Sequence, residues 1–159
     1  MPYYDGISKG YDELHEEEQL KKLRAIKDNF KASKNAKMLD LGCGSGLSSD
    51  FECIVTGIDP SIGLLKINRH KRKILGIAES LPFKGNVFDY IISVTAIHNF
   101  RNIKKSLKEI KRVGKNDFVF SVLRKSRRFD FVRRELAKNF MIIKAVKEQQ
   151  DIIFFCKKP

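Results

Sequence analysis

The sequence predicts a single α/β domain built on a parallel sheet with helices on both faces. Three observations carry that reading. Strand-like and helix-like segments alternate from Ala36 onward, an apolar strand runs into glycines at 42, 44 and 46, and two adjacent strand-like runs close the chain. Alternation of this kind implies parallel strands joined by right-handed helical crossovers, with a ligand site outside the carboxyl ends of the strands. A chain of 159 residues with 42% hydrophobic content is long enough for one core and too short for two, so residues 1–159 are read as one domain. Within it, 1–35 form an N-terminal lid and cap helix and 36–159 form the sheet-bearing core.

The elements follow in order. Over 13–30, Leu14, Leu20, Leu23, Ile26 and Phe30 recur near helical spacing with charges between them, which predicts an amphipathic helix lying outside the sheet. Strand 36–42 comes next, then a short helix after Gly46, strand 53–59, helix 61–70, strand 73–78 and strand 88–96. A helix over 102–113 places Ile103, Leu107, Ile110 and Val113 on one face and ends at Gly114. Strand 117–123 and helix 126–140 follow, the latter with Phe129, Val132, Leu136 and Phe140 inward. Runs 141–147 and 152–157 form a terminal hairpin around Glu148–Asp151. Only six residues separate Gly46 from the second strand, about one and a half helical turns, so the first crossover helix covers little of the sheet. Either apolar surface is left exposed there, or the N-terminal segment compensates.

The segment Met38–Leu47 carries the chemistry. Glycine at alternate positions turns the chain sharply and lets a ligand lie against the main chain. Position 47 is Leu where a dinucleotide fingerprint has its third glycine, and no Gly-Lys-Ser/Thr follows, so neither pyrophosphate loop is matched. What remains, Asp40-x-Gly42-x-Gly44-x-Gly46, resembles the first motif of the class I S-adenosylmethionine-dependent methyltransferases. That resemblance implies a Rossmann-like, seven-stranded, mostly parallel sheet with a terminal antiparallel hairpin. It further implies S-adenosylmethionine as methyl donor and S-adenosylhomocysteine as product. Asp59, 13 residues after Gly46 and followed by Pro60-Ser61, either accepts the ribose hydroxyls of the donor or caps the next helix.

Gly76-Ile77-Ala78-Glu79-Ser80-Leu81-Pro82-Phe83 with Phe88-Asp89 is similar to a motif pair of the type 11 methyltransferase family. The departure is Ile77, which stands where an acidic residue normally meets the adenine amino group. The resemblance then assigns adenine contacts to Ala78 and Glu79. The next strand ends Thr95-Ala96-Ile97-His98-Asn99, where the donor should face the acceptor. His98 is read as a general base or as a structural histidine, with Thr95 and Asn99 positioning an acceptor. Donor contacts are further expected from Cys43, Pro60 and Thr95. Tyr11, in a Tyr-Asp segment resembling the family's lid, closes over the donor or packs on the following helix.

Charge points to the acceptor. The net charge is +13, and it is lopsided: residues 1–80 carry 13 Lys and Arg against 12 Asp and Glu, whereas 81–159 carry 19 against 7. The run Arg124-Lys125-Ser126-Arg127-Arg128 follows the fifth strand and so should emerge at the ligand edge. The alternatives are a solvated lysine-rich surface and an RNA-binding face formed by Arg124, Lys125, Arg127 and Arg128. Segments Leu39–Ser48 and Ile92–His98 are also similar to motifs of the eukaryotic small-subunit ribosomal RNA guanine-N7 methyltransferases, which rely on a small zinc-binding activator protein. An RNA base (tRNA or rRNA) is therefore the expected acceptor and such an activator the expected partner; a small-molecule acceptor and a non-catalytic binding module are the alternatives. Three cysteines without Cys-x-x-Cys spacing indicate neither a disulfide framework nor a zinc site. With no long apolar run and no signal-like N-terminus, a cytoplasmic protein is expected.

Overall fold

The computed structural model describes the backbone of residues 2–159 and the side chains of residues 16–48 and 50–159. Helix α1 spans Pro2–Asn29 and is followed by strand β1, Lys37–Leu41. Strand β2 is Ile54–Asp59, helix α2 Ile62–Lys66, and strands β3 and β4 are Arg72–Leu75 and Phe88–Val94. Helix α3 (Ile103–Val113) leads into β5 (Gly114–Leu123); α4 (Phe129–Asn139) leads into the hairpin β6 (Met141–Glu148) and β7 (Asp151–Lys157). The seven strands lie in the order β3-β2-β1-β4-β5-β7-β6, parallel except for β7, which runs antiparallel to both β5 and β6. The expected architecture, with its terminal hairpin, is the observed one.

Both faces of the sheet are covered, which is why β1 is buried at four consecutive positions instead of alternating. On one face α3 and α4 contribute Ile103, Leu107, Ile110, Val113, Val132 and Leu136, each at most 1% exposed. Burial of each such side chain contributes about 1.5–3 kcal/mol relative to exposure. The N-cap of α3 is Asn102, whose side chain accepts from Lys105 N, and its end is Gly114, as the spacing indicated.

The other face shows how the short crossover is tolerated. After Gly46 the chain makes only a 3₁₀ turn, Leu47–Asp50. Leu23 and Ile26 of α1 fill the space beside it, packing with Leu47, Phe51 and Met38. Phe30 stacks on Phe51 and tilts against Tyr90, with ring centroids 6.3 and 5.2 Å apart. Compensation by the N-terminal segment is thus the observed solution.

Several boundaries differ from expectation. Helix α1 begins at Pro2 where the spacing placed its start near 13, and β5 begins at Gly114 where the pattern placed it at 117. The helix read over 61–70 stops at Lys66, because Asn68–His70 turn back to brace the glycine loop. The strand read over 73–78 stops at Leu75, since 76–78 leave the sheet to line a cavity. The helix read from 126 starts at Phe129, after a turn closed by Phe129 N donating to Ser126 O. Among the described residues, no helix is long and apolar enough to cross a membrane.

Candidate functional site

Strand order reverses between β1 and β4, and a crevice opens there outside the carboxyl ends of the strands, as this topology dictates. It is a cavity of roughly 780 Å³, within the ordinary range for a ligand pocket. Its walls come from the loop after β1 (Gly42, Gly44), the end of β2 (Asp59, Pro60), the loop after β3 (Gly76–Glu79) and the end of β4 (Val94–Ala96). Asn99, Phe100, Arg101, Asn102 and Lys105 complete the mouth.

The glycines meet a strict requirement. Gly42, Gly44 and Gly46 have φ of 74, 55 and 84°, the left-handed region that side-chain-bearing residues rarely adopt. A Cβ on Gly42 would lie 2.6 Å from Ala96 Cβ, and one on Gly46 would lie 2.7 Å from the backbone N of Arg69. The loop is stitched to its neighbours: Gly42 N and Cys43 N both donate to Ile58 O, and Arg69 N donates to Ser45 O. Asn68 Nδ2 donates to Gly44 O at 2.7 Å and to Cys43 Sγ at 3.2 Å.

Behind the loop lies a buried polar cluster. Ser48 Oγ donates to Asp40 Oδ2, and His70 Nε2 sits 2.8 Å from the same hydroxyl. Asp40 therefore braces the loop from behind and does not line the main cavity, and neither does Cys43, whose thiol pKa is raised first by burial and then by Asp40 and Asp59. Both residues instead border a small adjoining space of about 40 Å³ under α1, together with Gln19 and Ser48. Gly46 lines neither space.

Asp59 carries the anionic wall. It is 6% exposed; Oδ2 accepts from Gly44 N at 3.0 Å and Oδ1 from Ser61 N at 2.8 Å. Burial raises its pKa from the ordinary aspartate value, an effect opposed by those two backbone donors. The capping alternative is taken by its neighbour, because Ser61 is the N-cap of α2 and accepts from Leu64 N. Ala78 and Glu79 line the far end, where Glu79 Oε2 accepts from Asn102 N. Ile77 lines the same wall and is 48% exposed.

Of the acceptor-side residues, Thr95 and Asn99 line the cavity and His98 does not. His98 is 7% exposed, its Nδ1 is buried without a hydrogen-bond partner, and burial lowers its pKa. A proton-accepting role in the cavity thus has no support from its position. A depressed folded pKa contributes stability that is present above the ordinary value near 6.5 and lost on acidification through the lowered one. The thermal midpoint is expected to fall between pH 7 and pH 5, and His98→Gln to flatten that dependence in a scanning calorimetry series.

The basic run is divided by the fold. Arg128 is half-buried and donates to the carbonyls of His98 and Phe100, so it holds the segment after β4 and is not available as a surface cation. Arg124 is exposed but donates to Gln149 O. Lys125 and Arg127 are exposed. Arg101 and Lys105, at the cavity mouth, were not singled out from the sequence; their signal lay in the basic excess of residues 81–159. Asn68, His70, Lys22 and Asp151 were missed as well. Of these only Lys22 left a trace, as a lysine four residues before Ile26 on the buried stripe of α1. The side chain of Tyr11 lies outside the described residues. Among the described residues, no group of three or more His, Cys, Asp or Glu is arranged to hold a metal ion.

A seven-stranded sheet in this order, with a glycine loop after β1 and a buried acid ending β2, defines the Rossmann-like methyltransferase class. A methyltransferase domain profile matches residues 39–122, and the chain belongs to that family. It is 33% identical over 125 residues to an uncharacterized protein of Methanocaldococcus jannaschii, MJ1252, covering 76% of this chain and 50% of that protein. It is 34% identical over 100 residues to the demethylmenaquinone methyltransferase of Renibacterium salmoninarum, covering 58% and 42%. The chain spans about half or less of the length of these curated relatives. Its fold matches that of a protein assigned as a methyltransferase in complex with the Haloferax volcanii Trm112 methyltransferase activator. That match has a TM-score of 0.85 and 14% identity over 98% of this chain and 97% of that one.

Proposed function

We propose that the protein transfers a methyl group from S-adenosylmethionine to a base in RNA. The observation that carries the donor assignment is the cavity itself: a left-handed glycine loop with the buried Asp59 carboxylate hydrogen-bonded beside it, both in the wall. The residues fit the donor. Gly42 and Gly44 leave main chain bare for the amino-acid end, Asp59 offers acceptor oxygens to ribose hydroxyls, and Ile77–Glu79 line the wall left for the adenine. When bound, S-adenosylmethionine supplies an electrophilic methyl group. This chain's part is to hold an acceptor in line with it, which accounts for large rate factors without a strong base. Thr95 and Asn99 are the positioning groups at that end, and an acceptor with a free lone pair, such as a ring nitrogen, needs no proton removed.

RNA is favoured by the cations around the mouth. Arg101 and Lys105 line it, and Lys104 and Lys108 of α3 are exposed on the same helix. Lys125 and Arg127 lie on the loop after β5. Phosphate contacts of this kind fix a nucleic acid in register. A small protein partner is supported by the open side of β3, which among the described residues pairs only with β2, beside exposed Leu75, Ile77, Ile62 and Ile67. The demethylmenaquinone methyltransferase relative favours a second reading, a small apolar acceptor.

Incubation with labelled donor and fractionated cellular RNA, with and without the cell's small zinc-binding activator, followed by nucleoside analysis, tests the proposal. Label in a single nucleoside supports it. Label in the lipid extract alone supports the small acceptor, and donor binding without turnover on either supports a binding module. For RNA, log affinity should fall linearly with log salt, and Arg101→Ala or Lys105→Ala should reduce the slope by about 1 each. Arg128→Ala should instead lower the thermal midpoint, because its carbonyl partners lose their donor.

A further inference from the structure

A buried charge cluster stands behind the acceptor end of the cavity. Lys22 of α1 is 1% exposed and Asp151, the first residue of β7, is 0% exposed. Lys22 Nζ lies 3.3 Å from Asp151 Oδ1 and donates to Thr95 Oγ1 at 2.8 Å. Thr95 Oγ1 donates to Asp151 Oδ2 at 2.7 Å, and Ser121 Oγ donates to the same oxygen. Thr95 N is held in turn by Ser121 O and Ser121 Oγ. Three elements distant in sequence, α1, β5 and β7, thus converge on the hydroxyl of Thr95, a residue that lines the cavity.

Two features mark this cluster as more than packing. A buried ion pair is weak evidence of stabilisation, since an apolar pair of similar volume often serves as well or better. Thr95, moreover, is β-branched yet has φ of +52°, a conformation that persists only where surroundings over-determine it. The network supplies that over-determination at a residue lining the cavity.

We propose that Lys22 and Asp151 are positioning residues which fix the Thr95 hydroxyl at the methyl-bearing end of the site and keep the field there neutral, so that the cationic sulfonium is admitted. This rests on the donor assignment made above. The donor carries a positive charge at sulfur and the product does not. An uncompensated Lys22, one hydrogen bond behind the cavity wall, therefore disfavours S-adenosylmethionine more than S-adenosylhomocysteine, because the wall has little water to screen it.

The test is calorimetric titration of both ligands into the full chain. Asp151→Asn is expected to lower the ratio of S-adenosylmethionine to S-adenosylhomocysteine affinity by about tenfold. The charge-retaining Asp151→Glu is expected to leave the ratio near that of the parent even if both affinities fall. In Lys22→Met/Asp151→Asn, which removes both charges, the ratio should return to within about twofold of the parent. A purely structural cluster moves both ligands together, so an unchanged ratio in Asp151→Asn, or a lowered ratio that persists in the double variant, overturns the proposal. If circular dichroism shows Asp151→Asn unfolded, Lys22→Met carries the test: a shift of the ratio toward S-adenosylmethionine supports the proposal and no shift overturns it. Failure of the parent to bind either ligand would instead overturn the donor assignment.

Discussion

Lys22→Met is expected to destabilise the fold by about 3–5 kcal/mol, the range seen when one partner of a buried ion pair is removed. The cation sits between Thr95 Oγ1 and Asp151 Oδ1, and Asp151 would be left as an anion at 0% exposure with hydroxyl donors alone. Water cannot take the place of the ammonium without opening α1 from the sheet. Urea unfolding should show a lower midpoint at an unchanged slope. Lys22→Met/Asp151→Asn should recover most of the loss, because the two sites share one network and their effects do not add. A double variant as unstable as the sum of its parts would mean that the pair is not coupled in this way.

Asp59→Ala is expected to weaken S-adenosylmethionine binding by about 1–3 kcal/mol, or roughly 5- to 150-fold, through lost charge-assisted hydrogen bonds. Part of the effect is indirect, since the same carboxylate accepts from Gly44 N and Ser61 N and so ties the glycine loop to the start of α2. Asp59→Asn retains one acceptor and should lose less. The pH dependence follows from the sign of the shift: burial raises the pKa of Asp59, so on acidification the carboxylate is protonated earlier than an ordinary aspartate near 3.9. Donor affinity should therefore begin to fall at a pH above that value, and the Asp59→Asn variant should lack that inflection. Calorimetry across a pH series reads both.

Much of this was legible in the chain because it is governed by local rules. Ile103, Leu107, Ile110 and Val113 recur at helical spacing, and all four face the core, since a helix has only one stripe to bury. The glycine triplet announced a backbone that residues with a side chain rarely adopt, and all three glycines have positive φ. The loop-to-Asp59 spacing placed an acid beside it, because a β-α-β unit brings the ends of its two strands together. What failed was local extrapolation at ends. Asn68–His70 continue the texture of a helix, yet the Asn68 side chain bonds Cys43 and Gly44 of the glycine loop and that of His70 meets Ser48 just after it, partners 22–25 residues away in sequence.

The same limit governs the charges. Arg128 reads as one more cation in Arg124–Arg128, and only its approach to the carbonyls of His98 and Phe100, 30 and 28 residues earlier, turns it into a brace. His98 reads as a strand-end histidine facing a substrate, but the 3₁₀ turn Ile97–Asn99 carries it off the cavity wall and leaves Thr95 and Asn99 on it. By itself the sequence determined the sheet, its hairpin, the glycine loop and the acid beside it, because periodicity, turn geometry and β-α-β spacing are short-range constraints. Only the tertiary structure decided which polar residues work on the ligand and which hold the frame. That depends on pairings such as Lys22 with Asp151, between residues that meet only once the N-terminal helix packs beside the terminal hairpin.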